Sequence, residues 1–319
     1  MALARSRPVG VTTAGAGRQS RASAAASWTE VLEALYEGAW NTDIQRFRSP
    51  YAFRGLPSVD HTLSSSLVRL AAGRADVRRL ELALLRNFRK YAHSEAIGTD
   101  SIWDWLALGQ HRGLPTRLLD WTYSPLVALH FSTDDPGMFD RDGIVWAVNF
   151  VEANKRLPRR LRRILEEECS DTFTVDMLAQ FKMLREFDAL SREPFVVFVE
   201  PPAIDRRILN QFALFSLMSS PAAVLDDWLL SHPELCRRVI VPASLKWEIR
   251  DKLDQANVNE RVLFPGLDGL SRWLARYYMP AGAVPPEPAV DRSTVTPLEP
   301  RGTTRPRRER ARLPHRRIS

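Results

Sequence analysis

The sequence predicts an α+β fold: a single mixed domain of short central strands surrounded by helices, with a disordered tail at each end. Three observations carry this. Apolar residues recur at helical spacing, most clearly at Val77, Leu80, Leu84, Leu85 and Phe88. Residues 144–150 and 195–199 are short runs rich in Val, Ile and aromatics, bounded by polar stretches, as strands are. Helical and strand-like segments are mingled without strict βαβ alternation, and no internal repeat is visible, which favours one mixed domain.

Taken in order, residues 1–26 are Ala, Ser, Arg and Gly with almost no bulky apolar side chain, too little to bury on folding. An organelle transit peptide has a similar composition, but no convincing amphipathic helix accompanies it, so a plain tail is expected. The domain is expected over residues 27–280. Ser27 and Glu30 form a capping-box pattern opening a helix to about Gly38. Residues 51–54 read as a strand ending at Gly55, residues 76–91 as a helix, and Asp100 as the cap of a helix carrying Ile102, Trp103, Leu106 and Leu108. Ser124-Pro125 pairs an N-cap with proline at the first helical position. Charged helices are expected around 157–168 and 174–188, a strand over 211–218, another over 238–241, and closing helices over 244–255 and 265–278. Residues 281–319 are rich in Pro and Arg and read as a second tail.

Composition narrows the function. The chain has 319 residues, 45% of them apolar, and no run near the roughly 20 apolar residues of a membrane span. No signal-peptide pattern is present, so a cytoplasmic protein without a membrane partner is expected. Cys169 and Cys236 are too few for a disulfide framework and lack ligand spacing, and the six His are scattered, so no metal is expected. The net charge is +7, of which residues 1–26 contribute +4 and residues 281–319 contribute +5, so the domain between them sums to −2. A nucleic-acid footprint over the whole domain is therefore not supported, although a local basic groove or the tails could touch nucleic acid. Arg159, Arg160, Arg162 and Arg163 stand against Glu166, Glu167 and Glu168, the pattern of a solvated, salt-laced helix. No Walker loop, GxGxxG, GxSxG or HExxH motif occurs.

The densest chemistry lies in residues 109–122, GQHRGLPTRLLDWT. With helix-like sequence on both sides, it reads as a short connection. Leu114, Leu118, Leu119 and Trp121 would draw it into the core together with Arg117 and Asp120, which must then be paired, with each other or with a bound anion. A histidine side chain ordinarily titrates near neutrality, which makes His111 the natural acid/base candidate; the alternative is a histidine that fixes the turn. Thr116 and Thr122 flank the charges, and Trp121 reads as core or as a stacking platform. Upstream, Arg54-Gly55 at a strand end could grip a phosphate while the backbone approaches closely; the alternative is a structural ion pair beside a bulge. His130, between Leu129 and Phe131, reads as a satisfied core histidine.

These residues resemble the FRG domain family, whose defining Phe/Tyr-Arg-Gly triplet is Phe53-Arg54-Gly55 here. The family's Gln-His-Tyr-Gly-Leu-Pro-Thr-Arg-Leu-Leu-Asp-Trp-Thr block corresponds to residues 110–122, followed by Pro125, Leu126, Ala128, Leu129 and Phe131. A third block matches at Arg207, Ile208, Gln211, Ala213 and Phe215. Arg112 replaces the usual Tyr and Ala213 the usual Gly. A more distant likeness is to ADP-ribosyltransferases, many of which carry a strand-borne Arg-Gly that holds NAD, a Ser-Thr-Ser or Tyr element on a later strand, and a late Glu or Gln. The resemblance implies Arg54, Gly55, Thr116 and Arg117 as ligand-binding residues, and His111 and Gln211 as catalytic ones. Asp120, Trp121 and Thr122 brace the site. Phe131-Ser132-Thr133 is the weaker candidate for the second element, and Glu200 stands behind Gln211. The implied function is an effector enzyme, a toxin or antiviral defence protein, using NAD as substrate to modify nucleic acid or protein and held by a restraining protein partner. The alternative is a non-catalytic module binding a nucleotide or nucleic acid. Gln211 cannot supply the carboxylate that a developing ribosyl cation calls for.

Overall fold

Ten strands organise the computed structural model, which describes residues 22–92 and 101–283. In chain order they are β1 (Ala22–Ala24), the small hairpin β2 (Trp40–Asn41) and β3 (Arg46–Phe47), β4 (Tyr51–Leu56), β5 (Leu118–Thr122), β6 (Gly143–Asn149), β7 (Phe173–Thr174), β8 (Val196–Glu200), β9 (Ala213–Met218) and β10 (Cys236–Val241). All but the hairpin join one mixed sheet, in the order β1-β10-β6-β4-β5-β9-β8-β7. The two edge strands pair in parallel and the inner ones antiparallel. The α+β expectation holds, and helices cover the sheet. Residues 281–319 and 1–26 fall mostly outside the described residues, as does Asp100. The exception corrects the domain boundary: Ala22–Ala24, assigned from composition to the tail, pairs with Arg238–Ile240 as an edge strand.

The sheet is weakly joined at its centre. β4 pairs with β6 along its whole length, from Tyr51 opposite Asn149 to Leu56 opposite Ile144, and β5 pairs with β9 from Leu118 opposite Leu217 to Thr122 opposite Ala213. Between β4 and β5 the register holds only Phe53 opposite Thr122. Alternation along each strand explains what the halves do next. Ala52, Leu56, Ile144 and Trp146 from one half meet Leu119, Trp121, Phe198 and Leu214 from the other in a shared core. The opposite face of the first half, with Phe53, Val145 and Val239, packs under the Trp28–Tyr36, Pro125–Phe131 and Lys246–Gln255 helices. The outer face of the second, with Leu118, Val197 and Phe215, packs under the Ile102–His111 and Arg159–Glu167 helices.

Local chemistry sets most helix ends. Ser27 caps Trp28–Tyr36, while the Glu30 carboxylate reaches back to the Ala26 N–H at 2.8 Å. Ser101 and Asp104 form a complete capping box on Ile102–His111, and Gly113 follows its end at φ +81°, the left-handed stop that glycine permits. Ser124 and Pro125 open Pro125–Phe131 as expected. The expected helix over 174–188 is two short ones, Val175–Leu178 and Leu184–Asp188. The larger correction is at 118–122. This stretch is a central strand and not a connection, because Leu119 and Trp121 alternate into the shared core.

Candidate functional site

A cavity of about 950 Å³ opens where β4 and β5 separate. Its wall includes Arg54 and Gly55 from β4 and Asp120, Trp121 and Thr122 from β5. Gln110 and His111 come from the helix that precedes β5, and Gln211 from just before β9. Seven of the nine residues expected to bind, catalyse or brace (Arg54, Gly55, His111, Asp120, Trp121, Thr122 and Gln211) thus line one space, and Thr116 and Arg117 do not.

Arg54 bridges the split. Its Nη1 donates to the backbone carbonyl of Asp120, a side-chain rung where the ladder lacks one. The same nitrogen lies 4.0 Å from the Asp120 carboxylate, and Nε is buried without a hydrogen-bond partner. Burial lowers the pKa of the guanidinium, with Asp120 opposing. Gly55 corrects the expectation of close ligand approach. A Cβ there would sit 1.7 Å from the Ala128 carbonyl oxygen, so its bare α-carbon accommodates the Pro125–Phe131 helix.

Asp120 is the exposed carboxylate of this group, its side chain 64% accessible. Gln110 Nε2 donates to both of its oxygens, at 3.0 and 3.1 Å, and Gln110 Oε1 accepts from Thr116 Oγ1 at 2.6 Å. The sequence reading passed over Gln110, although it opens the matched block. Thr116 is buried, and its remaining groups are spent. Its N–H donates to Ser66 Oγ and its carbonyl accepts from the Leu67 N–H. Ligand binding is therefore the wrong role for Thr116; it is a brace.

Arg117 also departs from expectation. It is 3% exposed and pairs with neither Asp120 nor the cavity. Nε donates to Glu81 at 2.6 Å, Nη2 donates to the other Glu81 oxygen, and Nη1 donates to Asp188 at 2.6 Å. Burial alone would lower its pKa; the hydrogen bonds and charges of Glu81 and Asp188 outweigh that and raise it. Neither carboxylate was singled out in the sequence, though Glu81 stands at i+4 spacing between Val77 and Leu85 on the buried stripe of its helix.

His111 Nε2 lies 2.6 Å from Asp205, which leaves Nδ1 as the ring nitrogen not so engaged. Asp205 was also missed; its signal is that of an N-cap, since it accepts from the N–H groups of Arg207 and Ile208. The short helix it caps, Arg206–Asn210, places Gln211 at its end, where Nε2 donates to the Leu263 carbonyl at 3.0 Å. The Gln211 carbonyl accepts from Thr122 Oγ1 at 2.7 Å, locking β5 to the turn before β9. That turn carries a left-handed backbone at Phe212, φ +47°, one residue before Ala213. Trp121 is 3% exposed, and its indole N–H donates to Ser216 Oγ at 2.8 Å, a core tryptophan with one edge on the cavity.

The lesser candidates fall away. Ser132 and Thr133 are fully buried and donate to the Leu129 carbonyl. Glu200 accepts from Tyr123 Oη at 2.7 Å and is not part of the cavity wall. His130 is a core histidine, 2.7 Å from Arg250, with its pKa driven down to about 3 by burial and by that cation. Arg112, in place of the family's Tyr, and Arg207 add positive charge to the wall, against Asp134 and Asp135. Among the described residues no group of three or more His, Cys, Asp or Glu is placed to hold a metal, and no helix is long and apolar enough to cross a membrane.

No curated protein and no solved structure matches the chain. The family model of the FRG domain does, over residues 49–141, a span that contains Arg54, Gly55, Gln110, His111 and Asp120. The chain carries an FRG domain.

Proposed function

We propose that the cavity at the split of the sheet is a nucleotide site, and that its chemistry is NAD-dependent transfer of ADP-ribose to nucleic acid or protein. The observation that carries this reading is convergence. A strand-borne Arg-Gly, a hydroxyl on the next strand of the sheet and a late glutamine, drawn from β4, β5 and the start of β9, meet at one cavity. Its volume is toward the upper end of the 300–1,000 Å³ or so usual for small-molecule pockets, as a dinucleotide requires. The residues present suit the ligand. Arg54 has a buried N–H without a partner for a phosphate oxygen, and Arg112 and Arg207 add charge. The carboxylate that Gln211 cannot supply is Asp120, held by Gln110. In the reaction the glycosidic C–N bond breaks and its electron pair leaves with nicotinamide. An acceptor oxygen or nitrogen then bonds to the ribose and gives up its proton. Asp120 opposes the positive charge on the ribose, and His111, oriented by Asp205, receives the proton. Such a protein would act in the cytoplasm as a toxin or antiviral effector under the control of a restraining partner.

The test is nicotinamide release from NAD, with lysate as a source of acceptors, by wild type, Arg54→Ala and His111→Ala. Release that disappears in both folded variants supports the reading; no release by wild type removes it. A second reading has its own support: the Gln211 amide, Thr116 and Thr122 are all committed to the frame. A cavity so built could bind a nucleotide or nucleic-acid end without turnover. It then binds without releasing nicotinamide, and salt weakens a nucleic-acid ligand steeply.

A further inference from the structure

A second cavity, of about 570 Å³, is lined by the Arg117 network and is separate from the one at the split. Its back wall is Glu81, Arg117 and Asp188. Arg117 takes both carboxylates, and Arg78 adds a contact to Asp188 at 3.3 Å, so this wall carries no uncompensated negative charge. Its floor is apolar, formed by Leu82, Ile102, Phe181 and Leu184. Around it stand Arg89, Lys182 and Arg185, none of which pairs with a carboxylate among the described residues. Arg89 is held over the Trp105 ring, 5.7 Å from its centroid.

We propose that this cavity binds an amphipathic anion, an acidic head group on an apolar body. An inorganic anion would leave the apolar floor in contact with water, and a neutral apolar molecule would make no use of Arg89, Lys182 and Arg185. A ligand carrying both parts satisfies both. Its body could be an acyl chain or an aromatic ring system, and its head a carboxylate, sulfonate or phosphate. The site is independent of the NAD reading, because it shares no wall residue with the first cavity.

The experiment uses the full chain and anilinonaphthalene sulfonate as a fluorescent probe. It is displaced in separate arms by decanoate, naphthalene sulfonate, decanol and inorganic phosphate. One saturable site is expected, emptied by decanoate, by naphthalene sulfonate or by both, which reports the preferred body. Decanol and phosphate leave it filled. Lys182→Gln with Arg185→Gln, both exposed, weakens probe binding about tenfold, the loss of roughly 1.4 kcal/mol, without changing the melting temperature. Leu82→Glu, at a position 52% exposed, weakens it as well while the protein stays folded. Displacement by decanol as effective as by decanoate, or unchanged binding in the charge-removed variant, overturns the proposal.

Discussion

Replacing Arg117 by Met tests whether this arginine of the matched block is a brace or a ligand grip. The substitution keeps length and apolar volume and removes the guanidinium. Glu81, 1% exposed in its side chain, then has no cation, and Asp188 keeps only Arg78, whose side chain is 53% exposed. Breaking a buried pair from one side costs about 3–5 kcal/mol, because the remaining charge stays desolvated. That is a large part of the roughly 5–15 kcal/mol by which a domain is stable. Urea unfolding followed by tryptophan fluorescence measures it, since Trp103 and Trp121 are both buried. Arg117→Met combined with Glu81→Leu removes both charges, leaving Asp188 to Arg78. The double variant is expected to fall at least about 2 kcal/mol short of the sum of the singles, within the range for residues in direct contact. A loss under about 1 kcal/mol for Arg117→Met, or additivity within about 0.5 kcal/mol, would refute the reasoning. A ligand-gripping arginine gives the opposite pattern, with stability intact and nucleotide binding lost.

Three further outcomes are expected. Gly55→Ala drives a methyl group into the Ala128 carbonyl, where it has backbone and no flexible side chain to displace; thermal unfolding should show a loss of about 1–3 kcal/mol or more, and an unchanged melting temperature would contradict the packing. Burial pushes the Glu260 carboxyl up, but hydrogen bonds from Arg276 and the charges of Arg250 and Arg276 outweigh it and hold the pKa at about 2, below the ordinary 4.5. The stabilisation, about 3 kcal/mol, is complete above the unfolded pKa and is lost as pH falls through the folded one. Urea midpoints between pH 6 and 3 should therefore decline less steeply in Glu260→Gln, itself less stable at neutral pH, and an equal slope would count against the assignment. If the cavity transfers ADP-ribose, Asp120→Asn should lower kcat for nicotinamide release about a hundredfold with little change in KM, whereas a shift in KM alone would make Asp120 a binding residue.

How much of this was legible depends on how local each signal is. Ser27 and Ser124-Pro125 announce their helices because a cap and the turn it serves are neighbours in sequence. Residues 118–122 were misread for the converse reason. Their flanks are helical, Asp120 and Thr122 interrupt the apolar run, and the strand that completes their ladder, β9, is remote in sequence. Arg117 displays its positive charge in the sequence and hides its partners, Glu81 and Asp188, which come from two other helices. Asp205 looks like an ordinary N-cap until His111 arrives beside it. Arg54, His111 and Gln211 could be grouped only through family blocks, since nothing in their spacing says that they share a cavity.

The span that matches the FRG model ends at residue 141, and β6 begins at Gly143. The recurring segment therefore contains β4 and β5 but neither of the strands that pair with them along their length. Chain order makes this more than a matter of boundaries. The polypeptide lays β4 in one half of the sheet and β5 in the other, returns for β6, crosses again for β7 to β9 and comes back with β10. The halves are laced together by the chain itself, so neither can be cut away and a peptide of residues 49–141 has no complete ladder to fold around. What recurs in the family model is then a seam: the stretch of chain that joins the two halves of the sheet and carries, on its two sides, the residues facing the gap between them.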